Sequence, residues 1–412
     1  MRTTGAEQGG KKVVRAGTPL EVLAVAARLG VTSFGGPIAH LGYFHEEYVV
    51  RRKWLDEQSF ADLVALCQMI PGPASSQLGI SIGIKRAGFF GGIAAWAGFT
   101  LPSAIAMVVF ALLVHGSGIT TAGWLHGLMV VAVAVVAQAV WSMARTLASD
   151  APRASIAFAA AIISVTLPSS LTQILVIAAG VLAGVAFLRS GASDRPTHSA
   201  GFEGIGRGAA LLCLAAFGVL LLGLPILRAV VHSQWVALVD SFYRSGSLVF
   251  GGGHVVLPLL QREVVPPGWI SDSAFLAGYG AAQAVPGPLF TFAAYLGAVM
   301  KPAPNAVPGA ALALAAIYLP SFLLVIGLLP FYGILRGRPL VRAGLSGVNA
   351  AVVGVLLAAL FTPVWSSAIL NPFDFAIALA AFMLLSVWKV RPWIIVAGGA
   401  IAGEVLGLAH IA

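Results

Sequence analysis

A chain of 412 residues that is 59% hydrophobic and only 9% charged cannot hide its apolar surface in a water-soluble globule, where about 25% of residues are charged. Its formal charge of +9, from 24 Lys and Arg against 15 Asp and Glu, comes without a basic run of interleaved aromatics on a soluble domain, which speaks against nucleic acid as a partner. Cys67 and Cys213 lie in apolar segments without metal-ligand spacing, which speaks against a disulfide framework or a metal site.

Residues 1–17 form a polar, basic tail with no short apolar core before a small-residue cleavage site, so this tail is expected to stay on the mature chain and face the cytoplasm. Apolar segments follow near residues 18–36, 60–83, 88–114, 122–144, 154–167 and 170–188. Residues 189–207, rich in Ser, Gly, Asp, Arg and Pro, read as a polar linker, and 208–233 as an extra linking segment. A second series lies near 235–253, 275–300, 307–335, 343–361, 372–388 and 391–411. A crossing needs about 20 helical residues. The expectation is an all-α polytopic membrane protein of ten to thirteen spans, divided into repeats at 18–188 and 234–412.

The repeat is written in the motifs. Phe34-Gly35-Gly36 returns as Phe250-Gly251-Gly252, and Trp54-Leu55 with Phe60 returns as Trp269-Ile270 with Phe275. Gln68 before Pro71-Gly72-Pro73 returns as Gln283 before Pro286-Gly287-Pro288, and Leu101-Pro102-Ser103 as Leu319-Pro320-Ser321. The offset stays between 215 and 218 residues, the mark of a duplicated unit.

Basic residues suggest that the repeats are inverted. Lys85, Arg86, Arg145 and Arg153 flank one set of loops in the first half, whereas Arg336, Arg338, Arg342, Lys389 and Arg391 flank the opposite set in the second. Arg51, Arg52 and Lys53 run against the simplest trace, unless the first two segments of each half are re-entrant or lie in the interface.

Inverted repeats with segments broken by Gly and Pro point to a secondary-transporter site near the bilayer midplane. Proline removes an amide donor and clashes with the preceding turn. Pro71, Gly72 and Pro73, with Pro286, Gly287 and Pro288, should therefore break helices inside apolar stretches. A half-helix restarting beyond each break offers free amides to an anion. Ser75, Ser76 and Thr291 can add hydroxyl donors, and Gln68 and Gln283 amide donors. Structural kinks are the bland alternative. Gly35, Gly36, Gly251 and Gly252 allow either close approach of a ligand or close helix packing.

Arg28 and Arg244 hold matching positions six residues before each Phe. An arginine in an apolar segment needs a partner or a wet cavity, and its fork of donors suits an oxyanion, with snorkelling as the alternative. Glu47 and Glu263 also match and are candidates for proton coupling, or plain solvated charges. His40 and His254 read as lining or packing residues, and Asp62 faces Ala277 in the repeat.

FGGP-x-AH at 34–40, WLDEQSF at 54–60, QMIPGP at 68–73, FGGGHVVLP at 250–258 and QAVPGP at 283–288 resemble the chromate ion transporter family in its long form, with two fused homologous halves. The resemblance runs from about Glu21 to the last segment. It implies export of chromate across a bacterial inner membrane, driven by an electrochemical gradient and conferring chromate resistance. Pro37 and His40 give way to Gly253 and Val256 in the second half, so a site between the halves would be asymmetric.

The partners so implied are a small inorganic oxyanion, chromate or sulfate, and the lipid bilayer. A homodimer is compatible with the sequence and not required by it. No cofactor is expected. A metalloprotease-type enzyme would need a motif such as HExxH, and an ATP-driven pump a GxxxxGK[ST] loop; the chain has neither. A membrane scaffold remains the alternative of another class.

Overall fold

The computed structural model describes residues 17–116, 123–188, 205–250, 253–332 and 338–408. Among them every regular element is helical. The first half opens with short helices. Thr18 caps α1 (Pro19–Thr32) by accepting from Glu21 N, and Pro19 needs no donor at that position. Gly35 and Gly36, at φ +101° and +77°, then turn the chain into α2 (Gly36–Phe44), which continues as a wide-turn helix through His45–Arg51. Asp56 caps α3 (Glu57–Met69) through Ser59 N at 2.7 Å. The Pro71-Gly72-Pro73 turn ends α3 and leads into α4 (Ala74–Gly116), itself broken at Ala87 and Gly88.

These arms form helical hairpins. Gly17 N donates to Arg86 O at 3.0 Å, Arg86 pairs with Glu21 at 3.2 Å, and its guanidinium lies 5.0 Å from the Trp54 ring. Trp54 N donates to Tyr48 O at 2.8 Å, and the two rings stack. The start of α1, the end of the α2 extension, the start of α3 and the break in α4 therefore meet at one base. The arms α1 and α3, 14 and 13 residues long, reach about 20 Å at 1.5 Å per residue, short of a hydrocarbon core about 30 Å thick. The apolar segments at 18–36 and 60–83 are thus single arms and a tip, because Gly and Pro reverse the chain partway.

The second half repeats the plan. After α5 (Gly123–Leu147), α6 (Ala151–Thr166), α7 (Ser170–Phe187) and α8 (Arg207–Val230) come α9 (Gln234–Ser247), α10 (Val256–Val264), α11 (Asp272–Ala284) and α12 (Phe292–Val299). Ile270 N donates to Val264 O at 3.2 Å and Lys301 N to Trp269 O at 3.0 Å, while Arg228 lies over Trp269. Trp269 and Lys301 hold the places of Trp54 and Arg86. The bundle is completed by α13 (Ala306–Leu328), α14 (Pro339–Ala359, extended through Ala368), α15 (Pro372–Ser386) and α16 (Pro392–Leu408).

Small residues let the long helices touch backbone to backbone, the usual solution where apolar burial gives no drive between helices. Gly127 meets Gly399 between α5 and α16, Gly184 meets Gly347 between α7 and α14, and Gly354 meets Ala157 between α14 and α6. A β-carbon on Gly127 would fall inside contact distance of the Gly399 carbonyl. Gly127→Val is expected to reduce detergent-stable, monodisperse protein severalfold, read by fluorescence-detected size exclusion.

Helix α8 has only Ala210 buried. It rests on the bundle through Leu214 against Gly327 and through Tyr243 Oη, which donates to Phe217 O at 3.0 Å. Leu212, Leu222, Phe158, Leu171 and Leu182 all point outward and are more than half exposed, as a lipid-facing surface requires. Five helices among the described residues are long and apolar enough to cross a membrane. The chain is an integral, multi-pass membrane protein.

Candidate functional site between the halves

The tips of the hairpins meet across the halves. Gly72 N donates to Val249 O at 2.7 Å, and Gly287 N donates to Ser33 O at 2.9 Å. Each Pro-Gly-Pro turn is thus tied to the residue just before the Phe-Gly-Gly run of the other half. The turns can do this because Gly72 and Gly287 sit at φ +124° and +94°, a conformation that L side chains rarely adopt. The serines of the Leu-Pro-Ser motifs are exchanged in the same way. A β-carbon on Gly72 would lie 2.9 Å from Ser321 Oγ, and one on Gly287 would lie 2.9 Å from Ser103 Oγ.

Beside these tips lies a cavity of about 430 Å³. Half one contributes Gly35, Gly36, Gln68 and Gly72, and half two contributes Gly253 and His254. One wall is α5, through Gln138, Ser142 and Thr146, and α14 adds Asn349. The cavity has backbone at its tip end, neutral amides and hydroxyls on its walls, and no carboxylate among its described lining residues. Such a lining can donate to an oxyanion without opposing its charge.

The predicted residues divide. Gly35, Gly36, Gln68 and Gly72 line the cavity, with Pro71 and Pro73 framing Gly72. Ser75 is turned to His40, its Oγ 3.3 Å from Nδ1, and Ser76 is buried beside the Tyr318 hydroxyl. Pro286, Gly287 and Pro288 form the second tip, where Thr291 Oγ1 donates to Pro288 O at 2.9 Å. Gln283 Nε2 lies 3.5 Å from Tyr279 O. Neither Gln283 nor Thr291 is among the lining residues. Gly251 and Gly252 lie outside the described residues.

Arg28 and Arg244 are also absent from the lining; each stands beside the glutamate that matches it. Glu47 is held by Arg52 at 2.7 Å, Arg51 at 3.1 Å and Arg28 at 3.9 Å. In half two, Arg244 reaches Asp240 at 2.6 Å and Glu263 at 3.1 Å, Arg228 joins both carboxylates, and Ser241 Oγ donates to Glu263 at 2.9 Å. The first cluster sets three arginines around one carboxylate, the second two around two, so only the first carries surplus positive charge.

Burial pushes the Glu47 carboxyl up, but hydrogen bonds and charge from Arg52 and Arg51 outweigh it and hold the carboxyl below its ordinary value. The stability this supplies is complete above the ordinary carboxylate range and is lost as pH falls through the depressed pKa. Glu47→Gln is expected to lower the melting temperature at neutral pH and to flatten the acid limb of its pH profile.

Sequence reasoning missed Gln138, Ser142, Thr146 and Asn349. The signal was present: the first three recur every four residues on an otherwise apolar helix, which puts them on one face.

The chromate transporter family model matches residues 20–185 and 236–404, more than half of the chain. The chain is 26% identical to the chromate transport protein of Cupriavidus metallidurans, over 92% of this chain and 90% of that one. It is 28% identical to the probable chromate transport protein of Synechococcus elongatus, over 92% and 93%. An uncharacterized transporter of Methanocaldococcus jannaschii is 23% identical over 82% of this chain and 83% of its own length. No solved structure matches the chain significantly. With one match on each half, and relatives named as transport proteins rather than enzymes, the chain belongs to the chromate transporter family.

Proposed function

We propose that this chain is a secondary active chromate exporter of a bacterial inner membrane, with the substrate bound in the cavity between the hairpin tips. The observation that carries this reading is the reciprocal pair of tip bonds, Gly72 to Val249 and Gly287 to Ser33, beside a cavity that draws on both halves. Paired broken segments of this kind are where alternating-access transporters hold their substrates. Related proteins named for chromate transport supply the substrate.

The repeats are antiparallel in this reading, and a continuous trace supports it. Starting from the first hairpin base, the part of α4 beyond Gly88 crosses, α5 returns, α6 and α7 cross and return, and the odd helix α8 crosses once more. The second hairpin base then lies on the opposite side. On this trace Arg51, Arg52, Lys53, Arg86, Arg145, Arg338 and Arg391 share one side, as the positive-inside rule favours once the hairpins are re-entrant, while Arg228, Arg262 and Lys301 stand at the second base on the other side. The cavity extends toward Thr146 and Leu147, at the end of α5 on that same basic side. The protein is therefore read as facing the cytoplasm.

Export follows from electrostatics. A dianion leaving a negative-inside cell gains about 4.6 kcal/mol per 100 mV of membrane potential. The surplus charge of Arg28, Arg51 and Arg52 draws anions to the open side, while Arg244, neutralised by Asp240 and Glu263, braces the second base. Glu47 and Glu263 act as arginine clamps in this scheme, and the membrane potential drives transport. Breaking the tip bonds and rocking one half against the other would open the cavity outward, with sulfate as the competing tetrahedral dianion.

The test is accessibility. With both native cysteines replaced, Ser142→Cys is expected to react with an impermeant thiol reagent from the cytoplasmic side only, and chromate is expected to protect it. Reaction from the outer side alone, or indifference to both chromate and sulfate, would overturn the reading.

A further inference from the structure

Next to Gly72, and separate from the cavity lining, lies a nest of buried polar groups that neither the fold nor the cavity uses. Ser76, Gln77, Thr100, Tyr318 and Ser321 are each no more than 2% exposed. Among the described residues Gln77 Oε1, Ser321 Oγ and Trp96 Nε1 have no hydrogen-bond partner, and the hydroxyls of Ser76, Thr100 and Tyr318 have none beyond one another. They belong together. Tyr318 faces the hydroxyls of Ser76 and Thr100, the rings of Tyr318 and Trp96 lie 5.7 Å apart, and a β-carbon on Gly72 would meet both Ser321 Oγ and the Gln77 amide. Six buried polar groups bonded at most to one another are costly to keep inside a membrane protein.

Packing alone does not explain the nest, because the repeat supplies its own control. In half two the place of Gln77 is taken by Phe292 and that of Trp96 by Leu314. The hydroxyl of Thr291, equivalent to Ser76, donates to Pro288 O, and that of Ser103, equivalent to Ser321, donates to Thr100 O at 3.0 Å. Thr100 and Tyr318 are themselves equivalent, two residues before Pro102 and Pro320, so the asymmetry is confined to the side of the half-one turn. Around the half-two turn these hydroxyls close on backbone carbonyls, and around the half-one turn they do not.

We infer that the Ser76–Thr100–Tyr318–Ser321 nest is a second coordination position for the tetrahedral oxyanion, taken up in transit when the Gly72–Val249 tie opens. This rests on the cavity reading above and adds a residue set to it. Four hydroxyls and the Trp96 indole supply five donors and no negative charge, which suits an anion bearing only acceptors. Gln77 links nest and gate: its Nε2 donates to Pro71 O at 2.6 Å, so a shift of the Pro-Gly-Pro turn moves the Gln77 amide with it. The path runs on the half-one side alone.

The experiment compares the native full-length protein with Ser76→Ala/Ser321→Ala and with Tyr318→Phe, substitutions that remove hydroxyls without adding volume. Equilibrium binding of radiolabelled chromate to purified protein reads the cavity, and initial flux in vesicles reads transit. The expected result is binding within about twofold of native and maximal flux lowered about tenfold or more in both variants. Unchanged flux would overturn the inference and leave the nest as inert packing. Loss of binding and flux together would also overturn it, since the hydroxyls would then serve the cavity or the fold. Failure of the native protein to bind chromate would instead sink the cavity reading, and is seen before any variant is made.

Discussion

Gly72→Ala is expected to abolish transport, by about 100-fold or more, while the protein still inserts and purifies. Gly72 sits at φ +124°, where a side chain costs about 1–3 kcal/mol in backbone strain. The added methyl would also run into the Gln77 amide and lie 2.9 Å from Ser321 Oγ. The turn cannot absorb both and keep its amide on Val249 O at 2.7 Å. The long helices pack elsewhere, through contacts such as Gly127 with Gly399 and Gly184 with Gly347, so insertion should survive. Gly287→Ala, at φ +94° and facing Phe99 O and Gly30 O at 3.2 and 3.3 Å, should behave alike. The check is chromate flux normalised to inserted protein; native-like flux from Gly72→Ala would show that the tip geometry is dispensable.

The second large effect is on stability. Asp240 is 1% exposed and binds Arg244 at 2.6 Å and Arg228 at 3.1 Å. Asp240→Ala leaves two guanidinium groups to share Glu263, and breaking such a buried pair costs about 3–5 kcal/mol. The partial exposure of Arg228 places the expected loss toward the lower figure. Because Arg228 belongs to α8 and Arg244 to α9, the change should loosen α8 from the bundle. It is measured as a lowered melting temperature with faster proteolysis between residues 205 and 234, and an unchanged melting curve would show the cluster to be ornamental.

Much of this was legible in the sequence because the repeat marks it twice. The Phe-Gly-Gly and Pro-Gly-Pro motifs, read as breaks, are the hairpin tips, and Gly35, Gly36, Gln68 and Gly72 line the cavity. The reciprocal exchange was not legible: nothing local tells Gly72 that its acceptor is Val249, 177 residues on. Arg28 and Arg244 were read as counter-charges for a ligand because an arginine in an apolar segment demands a partner. The matched glutamates Glu47 and Glu263, seen separately as proton carriers, are those partners. Hydropathy also counts a re-entrant arm and its return as crossings, since both are apolar and only the turn between them differs. With the hairpins read as re-entrant, as proposed above, Arg51, Arg52 and Lys53 no longer run against the trace.

Movement of chromate through the cavity between the two halves is what the proposed function stands on. Labelled chromate flux in vesicles of known orientation, under an imposed membrane potential and with sulfate as competitor, tests it most directly. Potential-driven chromate movement from the cytoplasmic side, lost in Gly72→Ala, is the expected result. Native protein that moves no chromate under any potential or proton gradient would contradict it.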